Sequence, residues 1–217
     1  MPTPDEPRPI PGTAQQADAD PSRSARDGGA AVPPGAAGAP AHRRLLGLVV
    51  VLAALVLVVD QLTKAWALRA LADGLRRPVL DSLLGLQLVF NPGAALSIAT
   101  GMTWVLTIIA ATVVVVVVRV SRRLGSTGWA LAFGLLLGGA VGNLVDRLVR
   151  APGPARGHVV DFIAYGHLFV GNVADVAIVV AAVLVVLQTM RGVQLDGSRP
   201  ERVARGGAAA SADDVPQ

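Results

Sequence analysis

Two carboxylates in the second half of this 217-residue chain could do acid–base chemistry together. Asp161 lies in the apolar stretch HVVDF, and Asp175 follows fourteen residues later, just inside an apolar run that continues to Met190. A charged side chain at the centre of a bilayer costs about 3 kcal/mol even on a lenient scale, so intramembrane acids usually have a function. Two close carboxylates can share a proton and act as general base and general acid.

Local reasoning leaves the purpose of Asp175 open. Asn172 and Asp175 have the spacing of a helix N-cap and its N3 residue, so the acid also fits a variant capping box. Asp161 has no such local explanation. His158 and His167 flank Asp161, and a metal site of two histidines and two carboxylates is a minor alternative, because neither histidine has a recognised ligand spacing. We expect no metal and no cofactor.

The rarest polar residues of the chain lie within or beside its apolar segments. The sequence contains three asparagines and one lysine, and none of them is in the polar ends, where such residues cost little. This distribution indicates a polar cluster with a function. The four residues are Lys64, Asn91, Asn143 and Asn172.

Two further acids lie at the ends of apolar segments. Asp60 precedes Lys64 by four residues, which is the favourable orientation for a helical ion pair. Asp146 is followed directly by Arg147. For both pairs a structural role is as well supported as a direct role in chemistry. We expect all four acids at one depth, at the outer membrane boundary.

Four apolar segments are each close to the 20 or so residues that cross a bilayer as a helix. The spacing of Gly138 and Gly142 in the third segment predicts close helix packing. The predicted fold class is a membrane all-α bundle of four transmembrane helices. The predicted helices are residues 45–68, 102–118, 129–148 and 172–190.

The remaining regions are predicted from composition. Residues 1–41 and 192–217 are polar and lack apolar periodicity, so we expect disordered cytoplasmic tails on a folded domain of residues 42–191. Residues 76–100 partly alternate apolar and polar side chains, which predicts short strands against the outer membrane face.

Charge and composition exclude several classes of function. The chain is 53% hydrophobic and has no cysteine, which rules out disulfides, thiolate metal sites and a cysteine nucleophile. Its arginines flank apolar segments without an aromatic-basic surface, so we expect no nucleic-acid partner. Their distribution favours both termini in the cytoplasm and the acids at the extracytoplasmic face. The arginine-rich flanks are residues 42–44, 119–123 and 191–205.

Two other classes of protein could contain intramembrane acids. A small proton-coupled transporter would spread its acids across the membrane as a relay, whereas these are expected at one depth. A membrane scaffold without enzymatic activity would leave the placement of Asn and Asp unexplained.

Five motifs in order identify a resemblance to the bacterial lipoprotein signal peptidases, also called signal peptidase II. The resemblance covers roughly residues 45–190, and Gly171 stands where the family pattern has Phe. The motifs are VVDQLTKAW at 58–66, NPGAALSI at 91–98, GGAVGNLVDR at 138–147, GHVVDFI at 157–163 and GNVADVAI at 171–178.

The resemblance implies an intramembrane aspartic endopeptidase of the bacterial cell membrane, with a small extracytoplasmic β-cradle over four transmembrane helices. It implies Asp161 and Asp175 as the catalytic pair. The implied substrates are prolipoproteins with a diacylglyceryl-modified cysteine, cut on the N-terminal side of that residue. We expect a monomer in contact with membrane lipids. The supporting or substrate-binding residues it implies are Asp60, Lys64, Asn91, Asn143, Asp146, Arg147 and Asn172.

Overall fold

The computed structural model describes residues 39–93 and 103–199. The predicted tails before residue 39 and after residue 199, and part of the predicted strand region, lie outside these residues. The described elements are the helices α1 (Ala39–Ala70), α2 (Thr103–Ser121), α3 (Thr127–Val149) and α4 (Val173–Met190), and the strands β1 (Arg77–Leu80), β2 (Leu84–Asn91), β3 (Val159–Tyr165) and β4 (Phe169–Gly171).

Each of the four helices is long and apolar enough to cross a membrane. The longest, α1, has 32 residues, and about 1.5 Å per residue makes it longer than the hydrocarbon core of about 30 Å. It begins at Ala39, earlier than the apolar run, and Pro40 is compatible with this start because the first N–H groups of a helix have no helical partner. The prediction of four membrane-spanning helices is confirmed.

Helix α3 is central because it packs against each of the other three helices. A Cβ atom at Gly138 would lie 2.6 Å from Cβ of Val56 and 2.8 Å from the carbonyl oxygen of Ala53. A Cβ atom at Gly139 would lie 2.6 Å from the carbonyl oxygen of Ala174. The predicted close packing at the glycine motif is therefore confirmed, with α1 and α4 on neighbouring sides of α3.

The four strands form one antiparallel sheet in the order β1-β2-β3-β4. Strands β1 and β2 lie in the region where strands are expected, but β3 and β4 are additional. Most residues of β3 are buried, so its sequence lacks the alternation that reveals a half-exposed strand. Val89 of β2 is paired with Asp161 of β3, which places the acid in the middle of the sheet.

Residues 192–199, included above in a predicted tail, pack against the turn between α2 and α3. The indole Nε1 of Trp129 donates to the carbonyl oxygen of Val193 at 2.9 Å. The backbone N–H of Gly125 donates to the carbonyl oxygen of Leu195 at 2.8 Å. The apolar side chains of Val193 and Leu195 pack against the adjacent core. The average composition of the segment does not reveal this packing.

Candidate active site

Asp161 is buried in the sheet between two amide side chains. Its exposed fraction is only 1%. The Nδ2 atom of Asn91 donates to Oδ2 of Asp161 at 2.8 Å. The Nδ2 atom of Asn172 donates to Oδ1 at 2.6 Å. Each carboxylate oxygen therefore has its own amide donor.

Asp175 occupies the first turn of α4, where the predicted capping box is confirmed. Its backbone N–H donates to Oδ1 of Asn172 at 2.9 Å, and its own Oδ2 accepts from the backbone N–H of Asn172 at 3.1 Å. The other oxygen, Oδ1, accepts from Nδ2 of Asn143 at 2.9 Å. Because the cap uses only one oxygen, capping and an interaction with the polar cluster occur together.

All three asparagines of the chain direct their amino groups at these two acids, and unambiguous donors fix the orientation of each amide. The Oδ1 atom of Asn91 accepts from the backbone N–H of Gly93 at 2.7 Å. The Oδ1 atom of Asn143 accepts from Nζ of Lys64 at 3.1 Å. The Oδ1 atom of Asn172 faces a backbone N–H of α4, as described above. Since none of these donors can accept a hydrogen bond, each Nδ2 must face a carboxylate.

A buried ion cluster lies directly behind Asn143. The Nζ atom of Lys64 is 2.8 Å from Oδ2 of Asp60 and 2.8 Å from Oδ2 of Asp146, and these side chains are fully buried. The predicted helical ion pair of Asp60 and Lys64 is thus confirmed. Oδ1 of Asp60 also accepts from the backbone N–H of Ala174 at 2.9 Å, which connects the cluster to the first turn of α4.

The same cluster is connected to the strand that carries Asp161. Oδ2 of Asp146 accepts from the backbone N–H of Val160 at 3.2 Å. The cluster therefore fixes the backbone next to both candidate acids. The structure brings together every site residue that the sequence predicts.

Two further members of the cluster are missing from the sequence prediction. Nε of Arg150 is 2.6 Å from Oδ1 of Asp146, and Nε2 of Gln61 donates to Oδ2 of Asp60 at 3.1 Å. The i, i+4 spacing of Asp146 and Arg150 was a signal for the first of these contacts. In the described part of the chain, Asp146 forms ion pairs with Lys64 and Arg150 rather than with its neighbour Arg147.

Burial raises the pKa of Asp161 to about 6, and the nearby charge of Asp175 acts in the same direction. The amide hydrogen bonds from Asn91 and Asn172 and the charge of Lys64 oppose this rise in pKa. Asp161 is therefore able to hold a proton close to neutral pH, although a carboxyl group in water would be ionised there.

The histidines do not assemble a metal site with the acids. Within residues 39–93 and 103–199, no group of three or more His, Cys, Asp or Glu side chains is arranged to hold a metal ion. His167 is exposed in the turn between β3 and β4. The metal alternative therefore has no support from the geometry of the described residues.

Gly171 lies at the end of β4, beside Asp175. A Cβ atom at this position would be 3.1 Å from Oδ2 of Asp175 and 3.7 Å from the rings of Tyr165 and Phe169. Those two rings are stacked with centroids 4.6 Å apart. The stacked rings border the space where the family pattern has a phenylalanine side chain.

The chain also matches a known protein family. The profile of the family described as "Signal peptidase (SPase) II" matches residues 52–191, a range that contains all nine predicted site residues. The chain belongs to the signal peptidase II family.

Curated relatives extend the family match over most of the chain. A protein named "Lipoprotein signal peptidase" from Rhodococcus jostii is 52% identical over 160 residues, which are 73% of this chain and 79% of the relative. Proteins of the same name from Mycolicibacterium smegmatis and Mycobacterium tuberculosis are 46% and 47% identical, over 85% and 82% of this chain and 80% and 87% of theirs. As a member of this family, the protein is a peptidase.

Two solved structures described as bacterial membrane enzymes have the same fold. Each has a TM-score of 0.59 and 26% identity over 67% of this chain, covering 88% of one neighbour and 94% of the other. With the four long apolar helices, these neighbours indicate that this member of the family is a multi-pass membrane protein.

Proposed function

We propose that Asp161 and Asp175 are the catalytic pair of this enzyme, and that it removes signal peptides from prolipoproteins by cleaving N-terminal to the diacylglyceryl-modified cysteine. The observation that carries the proposal is the double contact of Asn172. Its side chain donates to Asp161 at 2.6 Å and its backbone N–H donates to Asp175 at 3.1 Å. One residue thus holds both carboxylates in a fixed relation, as a shared-proton mechanism requires.

The two environments favour different roles for the two acids. Asp175 lies at the N-terminus of α4, where the helix dipole and two hydrogen bonds stabilise a negative charge. Asp161 is buried more deeply in the sheet. Asp175 is therefore the general base and Asp161 the general acid.

The proposed reaction needs these two groups and one water. Asp175 takes a proton from water while the water oxygen attacks the scissile carbonyl carbon, and Asp161 gives its proton to the carbonyl oxygen. In the second step Asp161 takes back the hydroxyl proton of the tetrahedral intermediate. The carbonyl re-forms, the C–N bond breaks, and the proton on Asp175 passes to the leaving nitrogen. Both acids return to their starting states.

Arg147 is suited to bind the substrate next to this pair. Its guanidinium group interacts electrostatically with Asp161, Asp175 and Asp146. Within the described part of the chain its buried Nη1 atom has no hydrogen-bond partner. Buried donors are nearly always paired, so we assign this atom to a substrate carbonyl oxygen. Except for Lys64, the other supporting residues hold the two acids through hydrogen bonds to their carboxylates or to the backbone beside them.

The proposed location follows from the arginine flanks. Both termini are cytoplasmic, the sheet and the two acids are at the extracytoplasmic face, and the exposed apolar sides of the helices contact membrane lipids. The enzyme acts as a monomer, since the described residues of one chain supply both acids and their donors.

A cleavage assay tests the substrate assignment. We expect the purified protein in detergent to shorten a precursor peptide that carries diacylglyceryl-cysteine, with the new N-terminus at that cysteine as read by mass spectrometry. The same peptide without the lipid is the matched control and should remain uncut. Equal cleavage of both peptides would contradict the proposed specificity, and cleavage that a chelator abolishes would contradict the metal-free mechanism.

The raised pKa of Asp161 predicts the pH dependence of the reaction. Because the general acid must be protonated, kcat/KM should decline as the pH rises through about 6, the pKa of Asp161. Asn91→Ala removes a hydrogen bond that lowers this pKa, so the decline should move to higher pH. Initial rates of both proteins, measured over a series of pH values, check this prediction. If kcat/KM of the variant declined at the same pH as that of the unmodified enzyme, Asp161 would not be the acid.

A further inference from the structure

We propose that Lys64 is a positioning residue, whose ammonium group sets the orientation of the Asn143 amide so that Asn143 presents its amino group to Asp175. This inference rests on the proposed function, because it assigns a task to a residue behind the catalytic pair. Among the described residues, the polar contacts of the Lys64 side chain are with Asp60, Asp146 and Asn143 and not with either carboxylate of that pair.

The geometry around Lys64 fits an ammonium group. Its Nζ atom has three acceptors: Oδ2 of Asp60 at 2.8 Å, Oδ2 of Asp146 at 2.8 Å and Oδ1 of Asn143 at 3.1 Å. An ammonium group has three protons and a neutral amine only two, so the three contacts match the charged form. The group is fully buried, and no proton is left to bind water.

The orientation of Asn143 matters because its amide is nearly symmetric in shape. Rotation by about 180° would exchange Oδ1 and Nδ2 and place an acceptor against Asp175, where it would repel the carboxylate instead of stabilising it. In that orientation Nδ2 would also face the ammonium group, donor against donor. Nδ2 of Asn172 makes a longer second contact with Oδ1 of Asn143, at 3.2 Å. Lys64 is therefore the charged group that makes the productive orientation the stable one.

Other charges near the pair do not replace this contact. Asp60 and Asp146 of the cluster bind Lys64 itself, and Arg150 binds the far oxygen of Asp146. Arg147 contributes a favourable charge to both acids of the proposed pair, but no hydrogen bond in the described part of the chain joins it to Asn143. Asp161 also faces Asp175, and a negative charge on Asp161 would interact unfavourably with it.

The test is a double-mutant cycle in a charge-balanced background. Lys64→Met alone would leave the carboxylates of Asp60 and Asp146 with Arg150 as the remaining cation of the cluster. We therefore combine it with Asp60→Asn, whose Oδ1 atom can still accept from the backbone N–H of Ala174. All four variants carry Asp60→Asn. The first has no other change, the second adds Lys64→Met, the third adds Asn143→Ala, and the fourth adds both. The probe is the diacylglyceryl-cysteine peptide, with kcat and KM measured separately and thermal unfolding followed in detergent.

If Lys64 acts through Asn143, Lys64→Met should lower kcat about tenfold or more in the Asp60→Asn background and leave KM within about twofold. The same change should have almost no further effect on kcat once Asn143→Ala is present, since contacting residues are coupled. Equal losses with and without Asn143 would overturn the proposal, whatever the thermal stabilities are. So would an unchanged kcat in Asp60→Asn/Lys64→Met.

Failure of the proposed function gives a different pattern. If the unmodified enzyme does not cut the lipidated peptide, or if Asp161→Asn still cuts it, the assignment of the catalytic pair fails. If the unmodified enzyme cuts it and the cycle is additive, only the role of Lys64 fails.

Discussion

Replacing either Asp161 or Asp175 with asparagine is expected to reduce cleavage of a lipidated precursor by ~10⁴-fold or more, as for other catalytic groups that act as a unit. Asparagine has nearly the shape of aspartate but cannot exchange a proton in this reaction. In the proposed mechanism, Asp161→Asn removes the group that protonates the carbonyl oxygen, and Asp175→Asn removes the base that activates water. Single-turnover assays with the diacylglyceryl-cysteine peptide measure both losses.

The chain offers a matched control for these substitutions. Asp73→Asn is the same chemical change at an exposed position, where the carboxylate pairs with Arg77 at 2.9 Å on the surface. Exposed ion pairs contribute about 1 kcal/mol or less, so this variant should keep nearly full activity and stability. Substantial turnover by Asp161→Asn or Asp175→Asn would exclude the pair as the catalytic centre.

The sequence was informative about the site wherever a contact is local. The spacing of Asp60 and Lys64 predicts their ion pair, and that of Asn172 and Asp175 predicts the capping box; the structure contains both. The confinement of Asn and Lys to the apolar segments also predicts one polar cluster. Such residues are costly in a membrane unless they are paired, so a pairing partner had to exist.

Contacts between distant parts of the chain could not be predicted in the same way. No local pattern connects Asp60 with the backbone of Ala174, which lies more than one hundred positions later. Strand β3 was overlooked because most of its residues are buried, and burial removes the alternation on which strand prediction depends. As a result, no strand was predicted at Asp161, whereas this residue lies in a strand that is hydrogen-bonded to β2 and β4.

The position of Asp161 in a sheet explains how the site keeps its geometry. Asp161 is on a strand and Asp175 on a helix, and the two elements are joined by the ion cluster as well as by Asn172. Catalytic groups are effective when rigid elements and their supporting hydrogen bonds hold them in place. In the proposed mechanism the buried charges of the cluster hold this geometry, whereas ion pairs of this kind often contribute little to the stability of the fold.

Asn172 gives the second large effect, because its side chain both caps α4 and donates to Asp161. Asn172→Ser keeps an oxygen that can accept from the backbone N–H of Asp175, but it removes the amino group that binds Asp161. We expect cleavage to fall roughly 100-fold, as for the loss of one preorganised donor, while the thermal unfolding midpoint stays close to that of the unmodified enzyme.

Asn172→Ala separates the two tasks of this residue. It should lose activity to the same extent as Asn172→Ser and should also lose about 1 kcal/mol of stability, because the N-cap oxygen is absent. Rates with the lipidated peptide and unfolding curves in detergent distinguish the two variants. If both variants lost stability and activity in proportion, Asn172 would act only through the fold. A serine variant that is stable but slow would instead show that Asp161 depends directly on the amide, as the double contact requires.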